Sequence, residues 1–275
     1  MTKAILITGC SSGIGYVTAH ALHKRGYQVI ASCRNTKDIE RLKQEGLTCI
    51  QLDLACPESI SKAVQLTLTL TNGKLYALFN NGAYGQPGAL EDLPTDGLRA
   101  QFETNFFGWH QLVVEVLPVM RKQGEGRIIQ NSSVLGFAAM KYRGAYNASK
   151  FAIEGWTDTL RLELASTNIK ISLIEPGPIE TQFRANALKA FKQWITVENS
   201  THKTAYLEQI IRLEKQSSNN AFVLPAEACI EPVIHALEAT TPKIRYRITK
   251  PTQVFALLKR ILPTRWLDKI LLKAA

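Results

Sequence analysis

Six short apolar runs, separated by stretches of helical periodicity, constrain this chain more than any other feature. The runs are KAILIT (3–8), YQVIAS (27–32), LTCIQL (47–52), LYALFN (75–80), GRIIQN (126–131) and IKISLIE (169–175). They are short and β-branched, as strands buried within a parallel sheet are. Helical patterns lie between them, for example YVTAHALHKR (16–25), ESISKAVQLTLT (58–69) and the long stretch from Leu98 to Arg121. Strand and helix alternating six times predict α/β architecture: a doubly wound parallel sheet with helices on both faces. No internal repeat, low-complexity tract or linker divides the chain, so one domain is expected over 1–250, followed by a tail at 251–275.

Ligands of such sheets bind beyond the carboxyl ends of the strands. The first strand ends in TGCSSGIG, and a helix follows. Gly9, Gly13 and Gly15 let the backbone turn tightly and approach a pyrophosphate, which the helix N-terminus attracts. Ser11, Ser12 and Ile14 lie between them. The second strand ends in SCRN, and Arg34 rather than a carboxylate stands where the ribose 2′ position is read, which favours NADP over NAD. Asp53 after the third strand suits the adenine amino group. Asn80 and Gly82 in NNGA, after the fourth strand, let a loop pass close to the adenosine. Asn105 falls within the next helix, and NSSVLG puts Ser132 and Ser133 at the end of the fifth strand.

Tyr146 and Lys150 stand four apart in GAYNASKFAIEG (144–155), which puts both on one helix face. YRITK (246–250) repeats the spacing with Tyr246 and Lys250, so spacing alone carries nothing. Tyr146 differs in opening a helix just after the serines of the fifth strand, whereas Tyr246 lies on a basic strand ahead of Pro251.

In this order, TGxxxGxG, NN, TN, SS and YNASK resemble the short-chain dehydrogenase/reductase family over residues 3–182. The whole is similar to the subgroup of hydroxysteroid, retinol and broad aldehyde reductases. The resemblance implies a Rossmann-type fold and hydride transfer between a nicotinamide and a carbonyl or alcohol carbon. It implies Tyr146 as general acid/base, its pKa lowered from about 10 by the Lys150 ammonium. Ser133 would hold the substrate oxygen, with Ser132 structural. Asn105 would hold a water that links Lys150 to solvent. EPGPIET resembles the family's nicotinamide loop and puts Pro176, Gly177, Ile179 and Thr181 near the carboxamide. The family reads N-N-A-G where this chain has N-N-G-A, which is a departure at Gly82. A homo-oligomer is a further implication.

Residues 183–222 interrupt the rhythm where the family places its helical substrate lid. Leu188, Phe191, Trp194 and Ile195 form a stripe there at helical spacing, read as core packing or as an apolar pocket. With no basic cluster visible in that stretch, a hydrophobic aldehyde, ketone or alcohol is the expected substrate. A non-enzymatic NADP(H)-binding sensor or scaffold on the same fold is the alternative. The complete set of Ser133, Tyr146, Lys150 and Asn105 argues against it.

The net charge of +10 is concentrated. Residues 243–275 hold nine lysines and arginines against Asp268 alone, a net +8, and leave +2 for the other residues. The tail lacks the aromatic interleaving that suits bases, so nucleic acid is not expected. Val254, Phe255, Leu258, Ile261 and Leu262 share a helical face, with Lys259 and Arg260 toward the other. Pro263 breaks the helix before Trp266, Leu267, Ile270 and Leu271. Such a basic amphipathic pair can lie on an anionic bilayer. Strand-like sequence from Lys3 leaves no room for a signal peptide, and five scattered cysteines without a C-x-x-C pair read as reduced thiols with no metal site. The expectation is a cytoplasmic protein with peripheral membrane contact through its tail.

Overall fold

Alternation along β1 (Ala4–Ile7) divides the interior of the molecule into two. Leu6 points into one buried cluster with Leu78, Trp109, Leu112, Val116 and Ile153. Ile5 and Ile7 point into another with Ala19, Leu22, Leu42, Val233 and Leu237. Successive side chains of a strand face opposite sides of a sheet, so a strand apolar at every position must be covered on both faces. The computed structural model, which describes residues 2–214 and 221–274, shows that arrangement. Beside β1 lie β2 (Gln28–Cys33), β3 (Thr48–Gln51), β4 (Ala77–Asn80), β5 (Gly126–Asn131), β6 (Ile169–Glu175) and β7 (Arg245–Arg247). They form one sheet in the order β3-β2-β1-β4-β5-β6-β7, and every pair in it is parallel. The order reverses between β1 and β4, which opens the crevice where ligands of such sheets bind.

Helices α1 (Gly13–Lys24), α2 (Thr36–Gln44) and α9 (Ile230–Glu238) cover one face. The other face is covered by α3 (Pro57–Leu70), α5 (Gly108–Gln123) and α6 (Gly144–Glu163). The single helix expected from Leu98 to Arg121 is instead α4 (Thr95–Phe102), a π-helical turn over Glu103–Phe107, and α5. The π turn accommodates Asn105, whose amide is drawn inward to the backbone of Tyr84. Such one-turn bulges re-aim the side chains that follow. Gly108 begins α5 against the chain after β3: a Cβ there would collide with the carbonyl oxygen of Leu54.

The lid holds α7 (Phe183–Trp194) and α8 (Lys203–Glu214); its residues 215–220 lie outside the described residues. Its apolar stripe is packing. Phe191 and Ile195 are buried with Ala89 and Tyr206, and the Trp194 ring closes on Gly97, where a Cβ would lie 3.1 Å away. The lid and the loop before α4 are joined by Tyr206, whose hydroxyl meets the Asp92 carboxylate and accepts the Ala89 N–H at 2.9 Å.

The tail forms α10 (Lys250–Ile261) and α11 (Thr264–Ala274), but two expectations about it change. Its first turn belongs to the body, because Thr249 and Thr252 close on Gly177, where a Cβ would collide with the Thr249 hydroxyl. A boundary at 250 therefore cuts through packing. The expected apolar face is also split. Phe255 and Leu271 pack beside Val134, Leu135, Ala138 and Tyr146, while Val254, Leu257 and Ile261 face outward at 52%, 60% and 63% exposure. Lys259, exposed, reaches along the surface and donates to the Phe137 carbonyl at 2.6 Å. No helix among the described residues is long and apolar enough to cross a membrane.

Two glycines on helices give predictions of opposite sign. Gly108→Ala should lose a net of about 2 kcal/mol, overpacking outweighing better helix propensity. Gly155→Ala, where a Cβ meets nothing, should gain about 1 kcal/mol. Urea denaturation of the two variants beside the parent protein measures both.

Candidate active site

The glycine turn is held in shape by contacts that leave no room for side chains. Gly9 and Gly13 have φ of 69° and 59°, the left-handed region that glycine adopts without strain. A Cβ on Gly9 would lie 2.5 Å from the Gly82 Cα, and one on Gly13 would lie 2.8 Å from the Thr181 side chain. The turn thus touches the loop after β4 on one side and the loop after β6 on the other. Thr8 secures the first contact, its hydroxyl accepting the N–H groups of Asn81 and Gly82 at 2.9 and 2.8 Å. Ser12 precedes α1 without capping it by its side chain, and no acidic residue lies in the first turn. The helix N-terminus is therefore open to an anion, and the cradle fits a dinucleotide pyrophosphate.

Arg34 is exposed at the end of β2. A second arginine, Arg41 on α2, was not anticipated; its Nη2 donates to the Ser11 carbonyl at 2.6 Å. A lone arginine on a helix gives no signal in sequence, and only the fold brings it to the turn. Asp53 caps its own loop by accepting the Ala55 N–H at 3.0 Å. Of the NNGA residues, Asn80 is buried and its amide donates toward the Trp109 carbonyl. Asn81 does the joining work: its amide donates to the Thr8 and Gly9 carbonyls at 2.9 and 3.2 Å and accepts from Asn131 at 2.8 Å. Gly82 is packed against Gly9, and Ala83 joins the core below it.

Ser133, Tyr146 and Lys150 converge at the ends of β5 and the start of α6. Ser133 is buried and its hydroxyl accepts the Leu135 N–H at 3.1 Å, which fixes the short helix that follows β5. Ser132 turns the other way, toward Glu154. The Tyr146 ring packs edge-on to Phe183 of the lid, centroids 5.3 Å apart. Burial pushes the Tyr146 phenol up to about 12, against the downward pull of the Ser133 hydroxyl and then of Arg143. The lowering expected from Lys150 is absent from these causes. The Lys150 ammonium instead donates to the Asn131 carbonyl at 2.6 Å and sits over the Trp109 ring, 4.3 Å from its centroid. Burial lowers Lys150 to about 7, with Glu154 opposing.

Asn105 is buried one turn from this group. Its amide serves the Tyr84 backbone and Ser149, accepting the Tyr84 N–H at 3.1 Å and donating to the Tyr84 carbonyl at 2.9 Å. Of the loop after β6, the Pro176 carbonyl accepts the Val134 N–H at 2.9 Å and Gly177 meets Thr249. Ile179 bridges to Leu224, and Thr181 reaches the glycine turn. Tyr246 shares none of this: its hydroxyl lies 2.7 Å from His235 Nδ1 and accepts the Lys243 N–H at 3.0 Å.

Known proteins are similar to this chain. Residues 3–191 match the short chain dehydrogenase family. The chain is 42% identical over 271 residues to the uncharacterized oxidoreductase YbbO of Escherichia coli, covering 98% of this chain and 94% of that protein. It is 39% identical over 196 residues to human retinol dehydrogenase 8, covering 68% and 62%. A short chain dehydrogenase/reductase from Burkholderia phymatum, solved in complex with NAD, superposes with a TM-score of 0.79 at 22% identity, covering 94% and 92%. This chain belongs to the short-chain dehydrogenase/reductase family of oxidoreductases.

Proposed function

We propose that the protein is an NADP(H)-dependent oxidoreductase that interconverts a carbonyl and an alcohol on a hydrophobic substrate. The observation that carries this reading is the convergence of Ser133, Tyr146 and Lys150, with the Lys150 Nζ 5.6 Å from the Tyr146 ring centroid and the Ser133 hydroxyl beside the phenol, at the strand ends where the glycine turn meets the Pro176–Thr181 loop. When bound, the nicotinamide supplies or accepts the hydride. In reduction Tyr146 Oη gives its proton to the carbonyl oxygen, and in oxidation it takes the proton back. A phenol held high by burial keeps that proton until the oxygen gains charge. Ser133 Oγ donates to the same oxygen and stabilises the charge that develops on it. Lys150 has one N–H spent on Asn131 and offers the others to ribose hydroxyls. Phe183 and the apolar group of Val134, Leu135 and Met140 around Tyr146 exclude water and favour an apolar substrate. Resemblance to a protein named retinol dehydrogenase agrees with that class.

NADP is favoured over NAD by two guanidinium groups: Arg34, exposed just after β2, and Arg41, bonded to the Ser11 carbonyl. Arg34→Glu should lower kcat/KM for NADPH relative to NADH by about a hundredfold, the worth of a lost charge-assisted contact plus repulsion. An unchanged ratio would leave Arg34 as a solvated loop residue. Tyr146→Phe should keep NADPH affinity, read by nucleotide fluorescence, and lose about a thousandfold in kcat. Retention of more than a tenth of the parent kcat would remove Tyr146 from the acid/base role.

The tail is proposed to rest on an anionic lipid surface. Val254, Leu257, Ile261 and Trp266 are exposed, and Arg260, Arg265, Lys269 and Lys273 accompany them with Asp268 alone in opposition. Basic side chains contribute about 1 kcal/mol each near such a surface, and the exposed apolar row can enter its boundary. Full-length protein should sediment with anionic vesicles, less so in high salt and not with neutral ones. Leu257→Glu with Ile261→Glu should abolish sedimentation without touching the Thr249–Gly177 contact. If the double variant instead splits a dimer in light scattering, the row is an interface between copies and the lipid reading fails.

A further inference from the structure

Three arginines that are far apart in sequence are carried by segments that pack around Tyr146 and the lid. Arg143 closes the loop before α6, Arg184 lies in the first turn of α7 and Arg212 in the last turn of α8. Aromatic contacts fix their carriers. Tyr142, beside Arg143, packs on His202 and Tyr206 at 5.4 and 5.9 Å between centroids, which seats the loop on α8 and its approach. Phe183, beside Arg184, packs on Tyr146. The Arg143 backbone pairs with Gly88, which holds the loop from the other side.

Among the described residues no carboxylate pairs with these arginines. Among the described residues Arg143 and Arg184 have neither an ion pair nor a side-chain hydrogen bond, and both are half-buried. Arg212 donates through Nη2 to the neutral Gln209 at 2.7 Å, while its buried Nε has no partner. By contrast, Arg245 pairs with Glu154, Asp158 and Glu175, and Arg247 with Glu175. Desolvating a guanidinium without a counter-ion is unfavourable, and crowding like charges adds to it. Burial and then Arg212 lower Arg143 to about 10; burial and then Arg184 lower Arg212. Tyr146 acts on Arg143 in the opposite direction; Arg143 caps the helix that Tyr146 opens, and Arg184 follows Phe183, whose ring packs on Tyr146.

We infer that Arg143, Arg184 and Arg212 form an oxyanion subsite that binds a carboxylate or phosphate at the far end of the carbonyl substrate. The inference rests on the carbonyl–alcohol reading of the same site and narrows its substrate to an amphiphile. The apolar stem lies along Phe183 and Met140, and the anionic head occupies the arginines that the protein leaves without a counter-ion. Arginine is suited to this task because its planar fork matches both oxyanions.

The test compares octanal with 8-oxooctanoate, equal in length and different only in the head. The parent enzyme should favour the oxoacid by about tenfold or more in kcat/KM, as a charge-assisted contact implies. Arg184→Gln and Arg212→Gln should each bring that preference toward unity, whereas Lys189→Gln, exposed on the same helix as Arg184, should not. Independently of turnover, octanoate should raise the melting temperature of the NADPH-bound parent, and do so less in the arginine variants. Inorganic phosphate in place of octanoate tells which oxyanion the subsite prefers. Equal kcat/KM for the two aldehydes in the parent enzyme would overturn the subsite and leave the reductase reading standing. No turnover of either, with octanoate stabilising the parent and not Arg184→Gln, would keep the subsite and sink the reductase reading. No turnover and no stabilisation would sink both.

Discussion

A buried ammonium organises the middle of this molecule. Lys150 is almost wholly inaccessible, and a charge in that position must be compensated or surrendered. Three elements answer it. The end of β5 supplies the Asn131 carbonyl, α5 supplies the face of Trp109, and α6 supplies Glu154 one turn on. Trp109 in turn donates its indole N–H to the Gly82 carbonyl at 2.8 Å, and Asn131 binds Asn81. The same loop after β4 that presses on the glycine turn is therefore tied to the lysine by two routes. Cradle and reactive centre are one hydrogen-bonded unit.

Positive charge is distributed along the cleft in the same economical way. Arg41 stands at the glycine turn and Arg34 just after β2, Lys150 lies in the middle, and Arg184 and Arg212 are carried by the lid with Arg143 beside it. A dinucleotide phosphate would meet the first group and a substrate head the last. Between them Phe183, Val134 and Leu135 pack around Tyr146 and keep water from its ring. The lid is not a separate flap laid over this region. Tyr206 and Asp92 bind it to the loop before α4, and Phe191 fills the space between.

Much of this was legible in the sequence where local pattern and global fold agree. GRIIQN and IKISLIE became β5 and β6 with the expected ends, because β-branched runs between turn residues have one use in an alternating chain. The glycine turn and the Tyr146–Lys150 face were legible for the same reason. The π turn at Asn105 was not, since its cause is a contact with Tyr84, twenty-one residues away, and the local pattern reads as plain helix. The arginine cluster was invisible because its members come from three segments, and a search within the lid alone sees only isolated charges. The tail misled in a different way. Its apolar residues were assigned to one face, yet the body takes Phe255 and leaves Val254, and a lysine reaches along the surface to the Phe137 carbonyl.

The close approach of Gly9 and Gly82 has a further consequence, because its two sides are unequal. A methyl group on Gly9 meets backbone, which cannot yield. One on Gly82 meets first the Leu54 Cδ1 at 2.9 Å, the free end of a side chain that can change rotamer. The wall is hard from one direction and soft from the other. A methyl group at Gly82 would therefore ask a leucine to swing aside and the Gly9 nitrogen, 3.2 Å away, to give by a few tenths of an ångström, whereas one at Gly9 would break the cradle. One contact thus has two mechanical characters, rigid when pushed from the glycine turn and compliant when pushed from the loop after β4.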